Sequence, residues 1–321
     1  MALRRRATTG IARTADPSER YHRAVDLPDG RRLAWAEAGS PTGFPCFMFH
    51  GFPGSRLEAR GLEDIGRRHS VRFVCPERPG YGLSTFYPGR RITDWPADVQ
   101  FIAQHLELKR YAVLGGSGGG PYALACANSI PPDVLSAVGL MCSAAPWEAG
   151  TQGVPWSARI GSWAATYCPS FSTRVLDLLL GLAKWFVATD SGKKLIDGIA
   201  VKAAAAAGKE ISESEKSPEA ATARRERLLG VFLEPFAQGS RGFVQEAYLL
   251  THPYGFRLQG VHFEKRVQIW HGTKDKNSPI RMVRYMKKQL PHCDLHELEG
   301  VDHFAIIKHL EDIVVKLLAQ R

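Results

Sequence analysis

Tyr111-Ala-Val-Leu-Gly-Gly-Ser117-Gly-Gly-Gly-Pro121-Tyr is the stretch from which the fold is read. An apolar run of strand length enters a glycine-rich turn with a serine at its centre, and Pro121 opens a helix-forming run that ends near residue 129. Strand, sharp turn and helix in that order hold the serine hydroxyl at the tip of a strained bend, which only very small neighbours allow to close. Taken alone, Gly115-Gly116-Ser117-Gly118-Gly119 decides little: with 31 glycines in 321 residues, about 0.2 matches to G-x-S-x-G arise by chance. Its weight comes from the elements on either side.

Outward from that stretch, residues 45–50, 71–75 and 134–142 read as further buried strands. Asp29-Gly30, between residues 21–27 and 32–36, reads as the turn of an opening hairpin. The helix after Thr93 carries Val99, Ile102, Ala103 and Leu106 at i, i+3, i+4 and i+7, and Ile306, Leu310, Ile313 and Leu317 repeat the pattern near the C-terminus. This alternation predicts an α/β fold, a mostly parallel sheet flanked by helices. Residues 148–265 lose the strand rhythm and become helical and aromatic-rich, so they read as an inserted helical lobe; 23–147 and 266–321 form the core. The polar residues 202–227 fit either an exposed helix hairpin or a mobile loop, and residues 1–22 a mobile basic arm.

Composition narrows the class. With 44% hydrophobic and 23% charged residues, 20 Pro and 6 Cys, the chain is not collagenous, disordered or disulfide-stapled. Four of the ten net positive charges lie in residues 1–23, and the rest are spread with no basic block interleaved with aromatics, so no nucleic-acid partner is expected. No window of 18 apolar residues exists, hence no integral membrane segment. The cysteines lie singly, as reduced thiols do, and no apolar secretion signal opens the chain. A cytoplasmic protein is expected, with mitochondrial targeting by the Arg/Thr-rich N-terminus the lesser option. Neither metal nor cofactor is expected, because the remaining histidines show no ligand spacing. The oligomeric state stays open, a dimer included.

Two distant loops complete a chemistry. Val267-Gln-Ile-Trp-His271-Gly-Thr-Lys-Asp275 is a buried strand whose exit loop carries a carboxylate, and in Leu298-Glu-Gly-Val-Asp302-His303-Phe304 a histidine follows another short strand and precedes the last helix. The sequence here resembles the α/β-hydrolase superfamily with a helical cap, over nearly everything after about residue 25. His50-Gly51-Phe52-Pro53-Gly54 is similar to its H-G-x-P-G loop. Glu77-Arg-Pro-Gly-Tyr-Gly82-Leu-Ser84 is similar to its D-x-P-G-x-G-x-S turn, with Glu for Asp, and Tyr254-Gly-Phe-Arg-Leu258 to a segment that precedes the acid loop in many small-molecule members.

The resemblance implies a triad of Ser117, His303 and Asp275 in the family's chain order, and an oxyanion hole from the amides of Gly118 and Phe52. His50, Gly51, Gly115 and Gly119 would support the turn and the oxyanion loop. Asp302 adjoins His303, but neighbouring side chains diverge, so Asp275 is the expected acid. His271 belongs to the acid-strand turn, and Glu77 reads as a turn-stabilising carboxylate. Trp147, Trp156, Trp163, Tyr167, Phe171, Trp185 and Phe186 are expected mostly to pack the lobe's helices together, with Trp163 and Trp185 as candidate pocket walls.

The expected activity is cofactor-free hydrolysis of a carboxylic ester, or a related acyl bond, in a small and largely apolar substrate. Carbon–carbon bond hydrolysis and proline iminopeptidase-like cleavage are alternatives on the same fold. The latter's usual elbow and oxyanion loop, G-G-S-W-G and H-G-G-P-G, differ here at Gly118 and Phe52. A serine nucleophile argues against dehalogenase or epoxide-hydrolase chemistry, which needs an aspartate. From other classes come a non-catalytic ligand receptor and an acyltransferase or cyclase of specialised metabolism.

Overall fold

The computed structural model describes residues 17–206 and 217–321. Eight strands, β1 (Arg23–Asp26), β2 (Arg32–Gly39), β3 (Phe44–Phe49), β4 (Val71–Pro76), β5 (Tyr111–Gly116), β6 (Leu135–Met141), β7 (Val267–Gly272) and β8 (Cys293–Leu298), form one sheet in the order β1-β2-β4-β3-β5-β6-β7-β8. β2 runs antiparallel to both its neighbours, and every other pairing is parallel.

Central strands are apolar on both faces because both faces are covered. On β5, Tyr111 and Val113 join one core cluster while Ala112 and Leu114 join the other; on β3, Phe47 and Phe49 oppose Cys46 and Met48 in the same way. The first cluster is closed by α2 (Trp95–His105), α3 (Gly120–Ser129) and α9 (Ile280–Gln289), through Val99, Ile102, Tyr122 and Met282. The second is closed by α10 (Leu310–Leu318), through Leu310, Ile313, Val314 and Leu317, and abuts the short α1 (Glu63–Arg68). β3 is the switch point: the chain passes from it to β4 on one side and then crosses back over it to β5 on the other, so the loops leaving β3 and β5 diverge above the sheet and open a crevice.

Between β6 and β7 run five helices, α4 (Trp156–Tyr167), α5 (Pro169–Ala188), α6 (Asp190–Ala206), α7 (Pro218–Leu233) and α8 (Arg241–Thr251). Ser217 starts α7 by accepting from Ala220 N, and Arg225 of α7 pairs with Asp197 of α6 at 2.7 Å. Of the polar stretch, residues 207–216 lie outside the described residues, as do residues 1–16 of the expected N-terminal arm. The last six residues of that arm are docked, contrary to expectation. Pro17–Tyr21 forms a 3₁₀ turn, Arg20 donates to Gly39 O at 3.1 Å, and Arg56 donates to Tyr21 O at 2.7 Å.

The large aromatics of the helical segment also depart from the sequence reading. Trp156, Trp163, Tyr167, Phe171, Trp185 and Phe186 are exposed, and Trp147 alone of the seven packs against the core. The inward face of α4 carries small side chains instead, which leaves a hollow beneath it.

Candidate active site

Ser117 sits one residue beyond β5 with φ +50°, the left-handed region that costs a non-glycine residue of order 1–3 kcal/mol. The flanking glycines make the bend possible. A Cβ on Gly115 would strike Gly119 O, and one on Gly118 would lie 2.7 Å from Phe52 Cβ. The bend aims the hydroxyl away from the sheet, and Ser117 Oγ lies 3.0 Å from His303 Nε2.

His303 follows β8, and its other ring nitrogen, Nδ1, is 2.7 Å from Asp275 Oδ2. Nδ1 therefore carries the proton that the carboxylate accepts, leaving Nε2 free to accept from the serine. Asp275, buried after β7, is fixed through its second oxygen by the amides of Asn277 and Ser278, both at 2.9 Å. His271 Nε2 donates to Ser278 O at 2.7 Å, and burial holds its pKa below the usual value, so it is a neutral support of the same turn. Asp302 faces the other way: its Oδ1 accepts from Phe304 N and Ala305 N at 3.0 and 2.9 Å. The three residues singled out for a triad are thus brought together, and the neighbouring carboxylate is not among them.

The loop after β3 meets this constellation from the opposite side. A Cβ on Gly51 would lie 3.7 Å from Ser117 Cβ, and one on Gly118 3.3 Å from Phe52 N, so the Phe52 and Gly118 backbones adjoin above the serine. His50 lies behind them. Its Nε2 accepts from Arg78 N at 3.2 Å and its Nδ1 donates to Gly51 O at 3.0 Å, and burial keeps its pKa well below the ordinary value. Phe52 stacks on Phe243 of α8, with ring centroids 4.6 Å apart.

Three charged residues that sequence reasoning passed over hold this loop. Arg78 donates from its two terminal nitrogens to His50 O and Gly51 O, at 2.7 and 2.8 Å, and its Nε lies 2.9 Å from Glu246 of α8. Glu246 also meets Arg90 and accepts from Tyr122 at 3.0 Å, and all of this is buried. Glu58 accepts from Gly51 N at 3.2 Å, and burial pushes its pKa up to about 7. Arg78 stands inside the quoted Glu77-to-Ser84 turn, but nothing in the spacing links it to residue 246.

Glu77, in place of the usual Asp, accepts from Leu83 N at 2.7 Å and reaches Arg56 at 2.9 Å. Arg56 in turn meets Glu234 of the helical segment. The longer side chain ties its own turn to the residue that anchors the N-terminal 3₁₀ turn.

Ser117 and His303 open into a cavity of about 810 Å³ between sheet and helices, with Phe52, Leu250, Met282 and the small residues of α4 among its walls. Trp163 lines it. Trp185 does not: it lies beyond the lining half of α5, 69% exposed. Among the described residues, no Asp or Glu belongs to the lining and no three His, Cys, Asp or Glu side chains gather as metal ligands would.

The family model for the α/β-hydrolase fold matches residues 46–310, from within β3 to the first residue of α10. The chain belongs to the α/β-hydrolase family. As a member, it is similar to proteins named proline iminopeptidase: 32% identical over 126 residues to one from Xylella fastidiosa (strain 9a5c), covering 36% of this chain and 38% of that protein. Against one from Arabidopsis thaliana the figures are 31% over 121 residues, 36% and 30%. The chain therefore spans less than two-fifths of the length of these relatives. Among solved hydrolase structures, an esterase from Exiguobacterium antarcticum superposes with TM-score 0.60 at 19% identity, covering 92% of this chain and 97% of that one. A thermophilic esterase from Thermogutta terrifontis gives 0.55 at 18%, covering 93% and 98%. At such identities the shared property is the fold.

Proposed function

We propose that this α/β hydrolase is a serine hydrolase that cleaves a carboxylic ester, or a related acyl bond, of a small and largely apolar molecule. The observation that carries the reading is the unbroken relay Ser117 Oγ, His303 Nε2, Asp275 Oδ2, at 3.0 and 2.7 Å, opening into a cavity whose walls hold no carboxylate among the described residues. His303 takes the Ser117 proton as Oγ attacks the carbonyl, and Asp275 holds the imidazole tautomer and stabilises the imidazolium. The amides of Phe52 and Gly118 receive the developing oxyanion. His303 returns the proton to the leaving alcohol, and water then resolves the acyl-enzyme by the same steps. Residues 148–265 act as a cap that keeps bulk water from the acyl group.

Intact mass after fluorophosphonate treatment tests the reading. A single adduct on the wild type, absent from Ser117→Ala, is expected; a folded wild type that stays unlabelled would overturn it. The named relatives favour a second reading, iminopeptidase cleavage. That activity must hold the free amino end of its substrate, for which an apolar wall offers no anion. Turnover of a prolyl anilide faster than of an apolar acyl ester would reverse the order of the two.

A further inference from the structure

The roof of the cavity is built inside out. α4 turns Ser157, Ala158, Gly161, Ser162 and Ala165 toward the cavity and sends Trp156, Ile160, Trp163 and Tyr167 outward at i, i+4, i+7 and i+11. Trp156 is 75% exposed and Tyr167 70%. α5 continues the stripe with Phe171, Leu178, Leu182 and Trp185, all more than half exposed, and none of its 20 residues is buried. A helix this apolar is ordinarily covered. Together the eight outward side chains leave on the order of 1,000 Å² of apolar surface open, against roughly 300–600 Å² for the largest patch of a typical monomer.

The charges around this face select what covers it. α4 contains Arg159 and no acid. α5 contains Arg174 and Lys184 against one carboxylate, Asp177, which accepts from Ser240 N at 2.7 Å, so each of the two helices carries a net positive charge. On α6, Asp190 and Asp197 are already matched by Lys193 and Arg225, leaving Lys194. Two copies placed face to face would bring helices of net positive charge together, and the chain as a whole carries +10. An anionic lipid surface neutralises them, and indole and phenol rings favour the headgroup level. No helix among the described residues is long and apolar enough to cross a membrane, so the fit is to lying on the surface. Trp163 and Phe171 belong both to the outer face and to the cavity wall, so the cavity opens at this face.

We propose that the α4–α5 face docks on an anionic lipid surface and that, on the hydrolase reading above, the substrate is an ester dissolved in that surface. The full chain is sedimented with phosphatidylcholine vesicles, with and without about a third phosphatidylserine. Binding to the anionic vesicles, weakened by salt, is expected, together with a blue shift of tryptophan emission. Trp156→Gln/Ile160→Gln, and separately Trp185→Gln, none of which lines the cavity, should bind at least about tenfold more weakly. Their turnover of a short water-soluble ester should stay within about twofold of wild type, while turnover of a vesicle-embedded ester falls with binding. A wild type that stays in the supernatant with both vesicle types, that sediments no better than the variants, or that forms a dimer burying these tryptophans overturns the docking. Vesicle binding without turnover of either ester overturns the hydrolase reading and leaves the docking standing.

Discussion

Arg78→Lys should slow turnover without weakening substrate binding. The carbonyl of Gly51 and the N–H of Phe52 are opposite ends of one peptide plane, so a cation on the carbonyl fixes where the amide points and polarises it. Arg78 supplies that cation at 2.8 Å and grips the preceding carbonyl, His50 O, at 2.7 Å, while Glu58 holds the Gly51 N–H between them. A lysine keeps the charge beside Glu246 but cannot span both carbonyls and the carboxylate. Losing one charge-assisted bond of about 1.5–3 kcal/mol, expressed at a donor needed only in the transition state, predicts a kcat lower by about 10- to 100-fold. KM should stay within about threefold, because the apolar wall is untouched. Arg90→Lys is the control. Arg90 belongs to the same buried cluster, bonding Tyr122 at 2.6 Å and meeting Glu246, yet it does not touch the loop. It should lower stability by about 1–3 kcal/mol, as Arg78→Lys does, and leave kcat within about twofold. Steady-state kinetics on an apolar ester, with denaturant unfolding of each variant, decides the matter. Equal kcat losses in the two variants would refute the positioning role and reduce Arg78 to a buried ion-pair partner.

Three further outcomes follow from the geometry. Glu58, raised to about 7 in the folded state, contributes stability that is complete below its unfolded pKa and lost as pH rises through 7. Glu58→Gln keeps an acceptor for Gly51 N and should therefore gain on wild type by roughly 2–3 kcal/mol between pH 4.5 and pH 8, read by denaturant unfolding at both; parallel curves would contradict the shift. Gly118→Ala puts a methyl 2.7 Å from Phe52 Cβ and 3.1 Å from Leu250, so fluorophosphonate labelling should slow at least about 100-fold even where the protein remains folded, and an unchanged rate would remove Gly118 from the oxyanion site. Ala165→Phe fills the cavity from α4 and should raise KM for long acyl chains several-fold while sparing acetyl esters; a uniform change across chain lengths would place the acyl group elsewhere.

How much of this was legible in the sequence depends on whether the information is local. β5, its turn and α3 are contiguous, and buried parallel strands read as plain apolar runs, so the elbow, the Asp275 loop and the His303 loop could be placed in order from residues alone. The three come together because Ser117 is the residue next after β5 while Asp275 and His303 lie three and five residues past β7 and β8, all leaving the same end of neighbouring parallel strands. Arg78 and Glu246 escape because their pairing spans 168 residues and obeys no period, and Glu58 escapes because a part-buried carboxylate seven residues past Gly51 looks like an ordinary charge on a short helix. The aromatic stripe fails for a different reason. A helical period reports that one face is apolar and is silent on whether protein, lipid or a ligand covers it. Trp163 and Trp185 share that pattern, yet only Trp163 reaches the cavity; Trp185 lies about 15 Å farther along α5 than Val175, the distance of ten helical residues. What decides between them is the depth of the hollow left by Gly161, Ser162 and Ala165, a property of three small residues whose absence of bulk carries no hydrophobic signal. The candidate triad of this molecule is therefore written in what its sequence contains, and the hollow beside it in what it leaves out.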